Sequence, residues 1–141
     1  MIARQAGFRK FRKSLAEFLS RVVSAAAELN SLYTSDLIPI LQAWVVTMST
    51  SPLRSFRHTA TVVALNVETA LCEVGASVEK EKETVTRQLE GERKKKRNAE
   101  RVKELETKSA EVNERRTKLK EYLKEFFDGW VPHCCTTPYF H

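Results

Sequence analysis

Between Ser49 and Val74 the chain reads Ser-Thr-Ser-Pro-Leu-Arg-Ser-Phe-Arg-His-Thr-Ala-Thr-Val-Val-Ala-Leu-Asn-Val-Glu-Thr-Ala-Leu-Cys-Glu-Val, and this run constrains the fold more than any other. Ser51 can accept hydrogen bonds from the orphan N–H groups of a helix start. Pro52 suits the first helical position, because its φ is already helical and its missing donor has no partner there. From Leu53 onward Phe56, Val63, Ala64, Val67, Leu71 and Val74 recur at three- and four-residue steps, which predicts one buried helical face. Arg54, Arg57, His58 and Thr61 fall on a different face, a polar stripe that packing does not require.

These residues resemble the STAG domain of the stromal antigen family, the HEAT-repeat accessory subunit of cohesin. Phe56-Arg57-His58-Thr59, followed by a small residue and Thr61, carries the most specific part of the likeness. The resemblance reaches back to Phe8 and forward to about Trp130. It implies a non-enzymatic protein of the nucleus and chromosome, acting in sister chromatid cohesion, with the cohesin kleisin and ring subunits as partners. Family members pass from a helix ending near Phe127-Asp128-Gly129 into a Val-His-Arg-Tyr-Arg-Asp-like segment, of which only Val131 and His133 remain here. Residues 129–141 therefore read as a divergent tail. Residues 1–128 read as one STAG-like helical domain, with a compact part over 8–75 and a charged hairpin over 76–128.

The fold class follows from composition as well as from likeness. Four Gly and four Pro in 141 residues leave little material for hairpin turns, so the expectation is all-α: a HEAT-like helix pair, preceded by a basic amphipathic helix and followed by a long charged helical hairpin. No run of 18 apolar residues and no cleavable apolar leader are present, which points away from a membrane partner and towards an intracellular protein. Three cysteines, two of them adjacent at Cys134 and Cys135, do not make a disulfide framework. The net charge of +6 favours anionic partners. Six basic against two acidic side chains in residues 1–30, and 16 against 13 in residues 76–128, place the positive charge in two blocks.

Along residues 8–29, Phe8, Phe11, Leu15, Phe18, Leu19, Val22, Ala26 and Leu29 form one stripe of helical period, with Arg9, Lys10 and Lys13 opposite and Arg12 near the edge. After a break over Asn30–Ser35, Asp36 is placed to cap a second helix whose first turn tolerates Pro39. Leu37, Ile40, Leu41, Trp44, Val45 and Met48 give that helix an apolar load suited to burial between neighbours. Residues 36–75 thus read as an antiparallel pair of HEAT size, which needs adjacent units to cover its faces. Beyond Gly75 good helix formers dominate, so the helix is expected to continue with some bending. Val78, Val85 and Leu89 mark one thin seam. Leu105, Val112, Leu119 and Phe126, flanked by Val102 and Leu123, mark a second, out of register with the first. That phase shift predicts a hairpin, with the reversal placed between Leu105 and Glu114.

The residues with chemical potential are cations. Arg9, Lys10, Arg12 and Lys13 are grouped closely enough to displace counterions along double-stranded DNA or to remain simply solvated. Arg54 and Arg57 fit the same duplex contact, a pairing with Glu68 and Glu73, or a contact to helix ends. In Arg93-Lys94-Lys95-Lys96-Arg97, Lys94 and Lys95 are further candidates, beside nuclear import and plain solvation. His58 lacks a partner acid or nucleophile and reads as structural, and Cys72 reads as a small packing residue. His133, Cys134, Cys135 and His141 offer donors without zinc-site spacing, so no metal and no cofactor is expected. No nucleophile and base stand at useful spacing, no glycine-rich phosphate loop is present, and no small-molecule substrate is implied. The rival to DNA contact is a structural adaptor whose hairpin over Val78–Phe126 binds a protein partner while the basic residues stay solvated.

Overall fold

The computed structural model describes residues 2–95 and 99–136, with side chains described for most of them; apart from short connections these residues are helical, and none of them is in a strand. Five helices follow in order: α1 (Ile2–Glu28), α2 (Ser31–Thr34), α3 (Leu37–Ser49), α4 (Arg54–Lys95) and α5 (Ala99–Thr136). The all-α expectation holds. α4 is the spine, packing against α1 and α3 along its first half and against α5 along the rest, while α5 also reaches α2 and α3.

Alanine makes this convergence possible. Ala60, Ala64 and Ala70 of α4 are at most 1% exposed, and their short side chains let helices approach on more than one side. Val67 and Leu71 complete the α4 face, joined by Leu19, Val23 and Ala26 of α1, Leu32 and Tyr33 of α2, and Ile38 and Val45 of α3. The same core takes in Val78, Val112, Leu119 and Phe126, so the base of the hairpin is continuous with it.

The chain turns from α1 into α2 at Asn30, whose φ of 57° is the left-handed conformation that asparagine tolerates better than most residues. The expected break over Asn30–Ser35 therefore holds a single helical turn. Asp36 occupies the cap position of α3, but its side chain makes no capping bond, and Ile40 N–H donates to its backbone carbonyl instead. α4 starts two residues later than Pro52: Leu53 N–H donates to Ser51 Oγ at 3.2 Å, and the first helical bonds run from Phe56 and Arg57 to the Leu53 carbonyl. The serine caps the approach to the helix rather than the helix.

The apolar stripes are rotated from those read in the sequence. Among the described side chains of α1 the buried ones are Leu19, Val23 and Ala26, whereas Phe11, Phe18 and, just past the helix, Leu29 are at least 60% exposed; the side chain of Phe8 lies outside the described residues. In α3 Ile38, Val45 and Ser49 are buried while Ile40 and Trp44 face solvent; Leu53 just before α4 and Phe56 within it are exposed as well. A periodic stripe reports which side is apolar, but a neighbour covers only part of it, and here no described element lies over the remainder. Cys72 is exposed rather than packed.

α4 passes Gly75 without interruption. It also contains a window apolar enough to cross a membrane by length and composition, of which 28% is buried, a feature the absence of a long uninterrupted apolar run did not reveal. Its Val, Ala and Leu content supplies the helix contacts just described, so the window has a packing use within the protein.

The hairpin is present, but its reversal is not between Leu105 and Glu114. It falls between Lys95 and Ala99, and α5 is continuous across the expected turn. The seven-residue stripe Leu105, Val112, Leu119 and Phe126 explains why: a break inside it would have divided one seam between two helices. Antiparallel pairing is fixed by charge as well as by apolar contact. Arg93 Nη2 meets Glu106 Oε1 at 2.7 Å near the tip, while Arg115 meets Glu81 at 3.5 Å and Arg116 bonds Glu79 nearer the base. Across the base, Lys118 Nζ donates to the Tyr33 carbonyl at 2.9 Å and ties α5 to α2.

The divergent tail does not begin at a helix end: α5 runs through Gly129 and Pro132 to Thr136. Gly129 lies close to α3, where a Cβ would meet Gln42 Nε2 at 3.3 Å and Val46 Cγ2 at 3.6 Å, so the helix is seated on the body before it reaches the proline. Pro132 removes one backbone donor, which weakens the helix locally without ending it.

Candidate nucleic-acid interface

Arg9, Lys10, Arg12 and Lys13 are all exposed on α1. At 100° per residue Arg9 and Lys13 are nearly in line along the helix, with Arg12 to one side and Lys10 to the other, so the four cations span an arc of about 160° within a single turn or so. None of them is ion-paired with a described residue, in contrast to Arg21 one helix segment later, which meets Glu17 at 2.6 Å. Free, grouped and solvated cations are what a phosphate backbone can recruit without first breaking an internal bond.

Arg54 is exposed at the first residue of α4 and is likewise outside the ion pairs. Arg57 is half-buried, and its Nη1 donates to the Ser51 carbonyl at 2.9 Å and the Pro52 carbonyl at 3.0 Å. Of the roles open to it, the helix-end contact is the one the structure realises; Glu68 and Glu73 are not its partners. His58 is exposed. The hydroxyls of Thr59 and of Thr61 in the polar stripe donate to the carbonyls of Ser55 and Arg57, so both threonines bond the helix that carries them.

Lys94 is exposed near the far end of α4. Forty residues of helix separate it from Arg54, a distance of about 60 Å at 1.5 Å per residue, so the two cannot belong to one small patch. The side chain of Lys95, and Lys96 and Arg97, lie outside the described residues. Arg93 is committed to Glu106. The basic run thus contributes less free charge than its sequence suggests.

One cleft went unnoticed in the sequence because its residues share no motif. It lies between the end of α1, α2, α4 and α5, has a volume of about 460 Å³, and is lined in part by Glu28, Tyr33, Glu73, Glu81 and Arg115. Burial pushes the Tyr33 phenol above its usual range, with the Arg115 guanidinium pulling the other way and Glu81 adding to the rise. Three carboxylates around one guanidinium disfavour a phosphate there. Among the described residues no group of three or more His, Cys, Asp or Glu gathers as a metal site, and Cys134, Cys135 and His141 lie outside the described side chains.

Comparison with known proteins supplies a further constraint. The family model for the STAG domain matches residues 1–108. The chain is 41% identical over 127 residues to the cohesin subunit psc3 of Schizosaccharomyces pombe, an alignment covering 89% of this chain and 13% of that protein. It is 30% identical over 129 residues to cohesin subunit SA-1 of Xenopus laevis, covering 89% and 10% respectively. With human cohesin subunit SA-3 it shares 29% over 136 residues, covering 94% and 11%. The chain spans roughly a tenth of the length of these relatives.

Proposed function

Since the chain belongs to the STAG domain family, we propose that it is a segment of a non-enzymatic cohesin subunit, acting in sister chromatid cohesion at the chromosome by holding DNA through a basic helical surface. The exposed, unpaired set Arg9, Lys10, Arg12 and Lys13 carries this reading. Arg54 adds a fifth free cation at the head of α4, and Arg57 contributes the N–H donors that its two carbonyl contacts leave over. Contacts of this kind position a duplex without reading its bases. Lys94 and Lys95 then touch a more distant stretch of the same duplex, or none. Kleisin and ring subunits are the protein partners this reading assigns, and they dock on surfaces it does not specify.

Filter binding to random-sequence duplex DNA tests the proposal. If about five phosphates are neutralised, log affinity falls with log salt at a slope of about −4.5, and replacing Lys10, Arg12 and Lys13 by Glu flattens the slope. An affinity indifferent to salt removes the mechanism. The adaptor reading gains little support from the hairpin, because Arg93, Arg115 and Arg116 are engaged with the hairpin's own carboxylates.

A further inference from the structure

The connection from α3 to α4 carries Ser51-Pro52-Leu53-Arg54, a seryl-prolyl pair with a cation three residues after the serine. Proline-directed protein kinases select this pattern: the prolyl ring brings no N–H donor into a pocket that offers it no acceptor, and the cation meets an acidic group on the kinase. Presentation agrees with sequence. Thr50, Pro52, Leu53 and Arg54 are exposed and Ser51 is half-exposed.

A kinase cleft takes its substrate extended, so the start of α4 must loosen. Nothing in the core opposes this, because the first buried residue of α4 is Ala60 and the head from Arg54 to Thr59 contains none. Segments that bury little open at low cost. The bonds given up are few: the two from Arg57 to the Ser51 and Pro52 carbonyls, the one from Leu53 N–H to Ser51 Oγ, and the first backbone bonds of α4, from Phe56 and Arg57 N–H to the Leu53 carbonyl.

We propose that Ser51 is a phosphoacceptor for a proline-directed Ser/Thr kinase, and that Arg54 and Arg57 clamp the phosphate it acquires. Ser51 Oγ attacks the γ-phosphorus of ATP; the Oγ–P bond forms as the bond to the β-phosphate oxygen breaks. ADP leaves, and the hydroxyl proton passes to the kinase's catalytic carboxylate. The product carries a charge of about −1.5 to −2 at pH 7. When the head of α4 closes again, the Arg57 guanidinium, already 2.9 Å from the carbonyl of this same serine, has N–H donors to spare for the phosphate. Arg54, one helical turn before Arg57's successor His58, is free to join it. The phosphate then occupies two cations assigned above to the duplex, a consequence that rests on the DNA reading, whereas the modification itself does not.

The test incubates the full chain with a recombinant cyclin-dependent kinase and its cyclin and radiolabelled ATP, followed by peptide mapping. Label is expected on Ser51, absent in Ser51→Ala and Pro52→Ala and reduced several-fold in Arg54→Ala. Thr137-Pro138, with Phe140 at the third position, is an internal comparison. Label confined to Thr137, or no label on protein shown by circular dichroism to be helical, overturns the proposal. The clamp is read by phosphorus NMR titration of the modified chain: its second phosphate pKa is expected to lie below that of the Arg57→Ala and Arg57→Lys variants, and equal values overturn it. Failure of the unmodified chain to bind duplex DNA removes the DNA reading and leaves the Ser51 result standing.

Discussion

Single residues in this protein act mostly through the backbone they touch. Arg57 ties the α3–α4 connection together through two carbonyls, so Arg57→Ala should lower stability by about 1 kcal/mol and speed amide exchange around Leu53. Thermal melts and hydrogen exchange check both. Glu68 presents the opposite case, a carboxyl whose pKa burial raises. The sign follows directly: a carboxylate with a folded pKa above its unfolded value weakens folding progressively as pH rises from the unfolded value through the folded one, and the cost is absent in acid where both states are protonated. Glu68→Gln is therefore expected to stabilise the fold at pH 7 by a few tenths of a kcal/mol and to change nothing near pH 3, as measured by urea midpoints at the two pH values. Glu79 runs the other way, because its hydrogen bond from Arg116 holds its pKa low, and its contribution fades as pH falls through that lowered value.

At the scale of helices, the seam decides more than the surface. Phe126 is fully buried at the hairpin's base, and Phe126→Ala should cost about 3–5 kcal/mol, seen as a fall in melting temperature and loss of α5 protection. The cross-hairpin ion pairs are half-exposed to exposed and contribute less. Reversing Glu79 to Lys should lower stability only slightly, and adding Arg116→Glu should restore most of the loss in a double-mutant cycle. The sequence was informative here in proportion to how long each signal ran. The hairpin seams were legible because heptad spacing persists over several turns, and the all-α class because so few turn formers are present. The reversal was misplaced because no Gly or Pro marks Lys95–Ala99, and the phase shift locates a turn only to within the gap between two seams. Stripes on α1 and α3 were legible as apolar but not as buried, since Val23 and Ile38 differ from Phe18 and Ile40 only in which side a neighbouring helix occupies. Of the candidate contacts, the α1 cations were readable as a group, whereas the commitments of Arg57 and Arg93 arise from chain reversals no local pattern encodes.

For the whole molecule, the uncovered apolar side chains set solution behaviour. Phe11, Phe18, Ile40, Trp44 and Phe127 are each at least 59% exposed, more large apolar surface than a chain of this size usually leaves to water. The isolated chain is expected to self-associate in a concentration-dependent way. Phe18→Glu and Trp44→Glu should reduce that association in sedimentation experiments without lowering the melting temperature, since neither side chain supports the core. A loss of helicity in these variants would show that the exposed rings stabilise the monomer.

α4 belongs at once to the body and to the hairpin, a single unbroken rod of 42 residues. Such a rod is a lever arm. A tilt of about 5° where Ala60 to Leu71 are gripped swings the far tip through roughly 3 Å, over the arm of about 36 Å from Leu71 to Lys95. A pull at the tip is likewise delivered, multiplied, to the alanine-lined fulcrum, where the packing leaves no slack to absorb it.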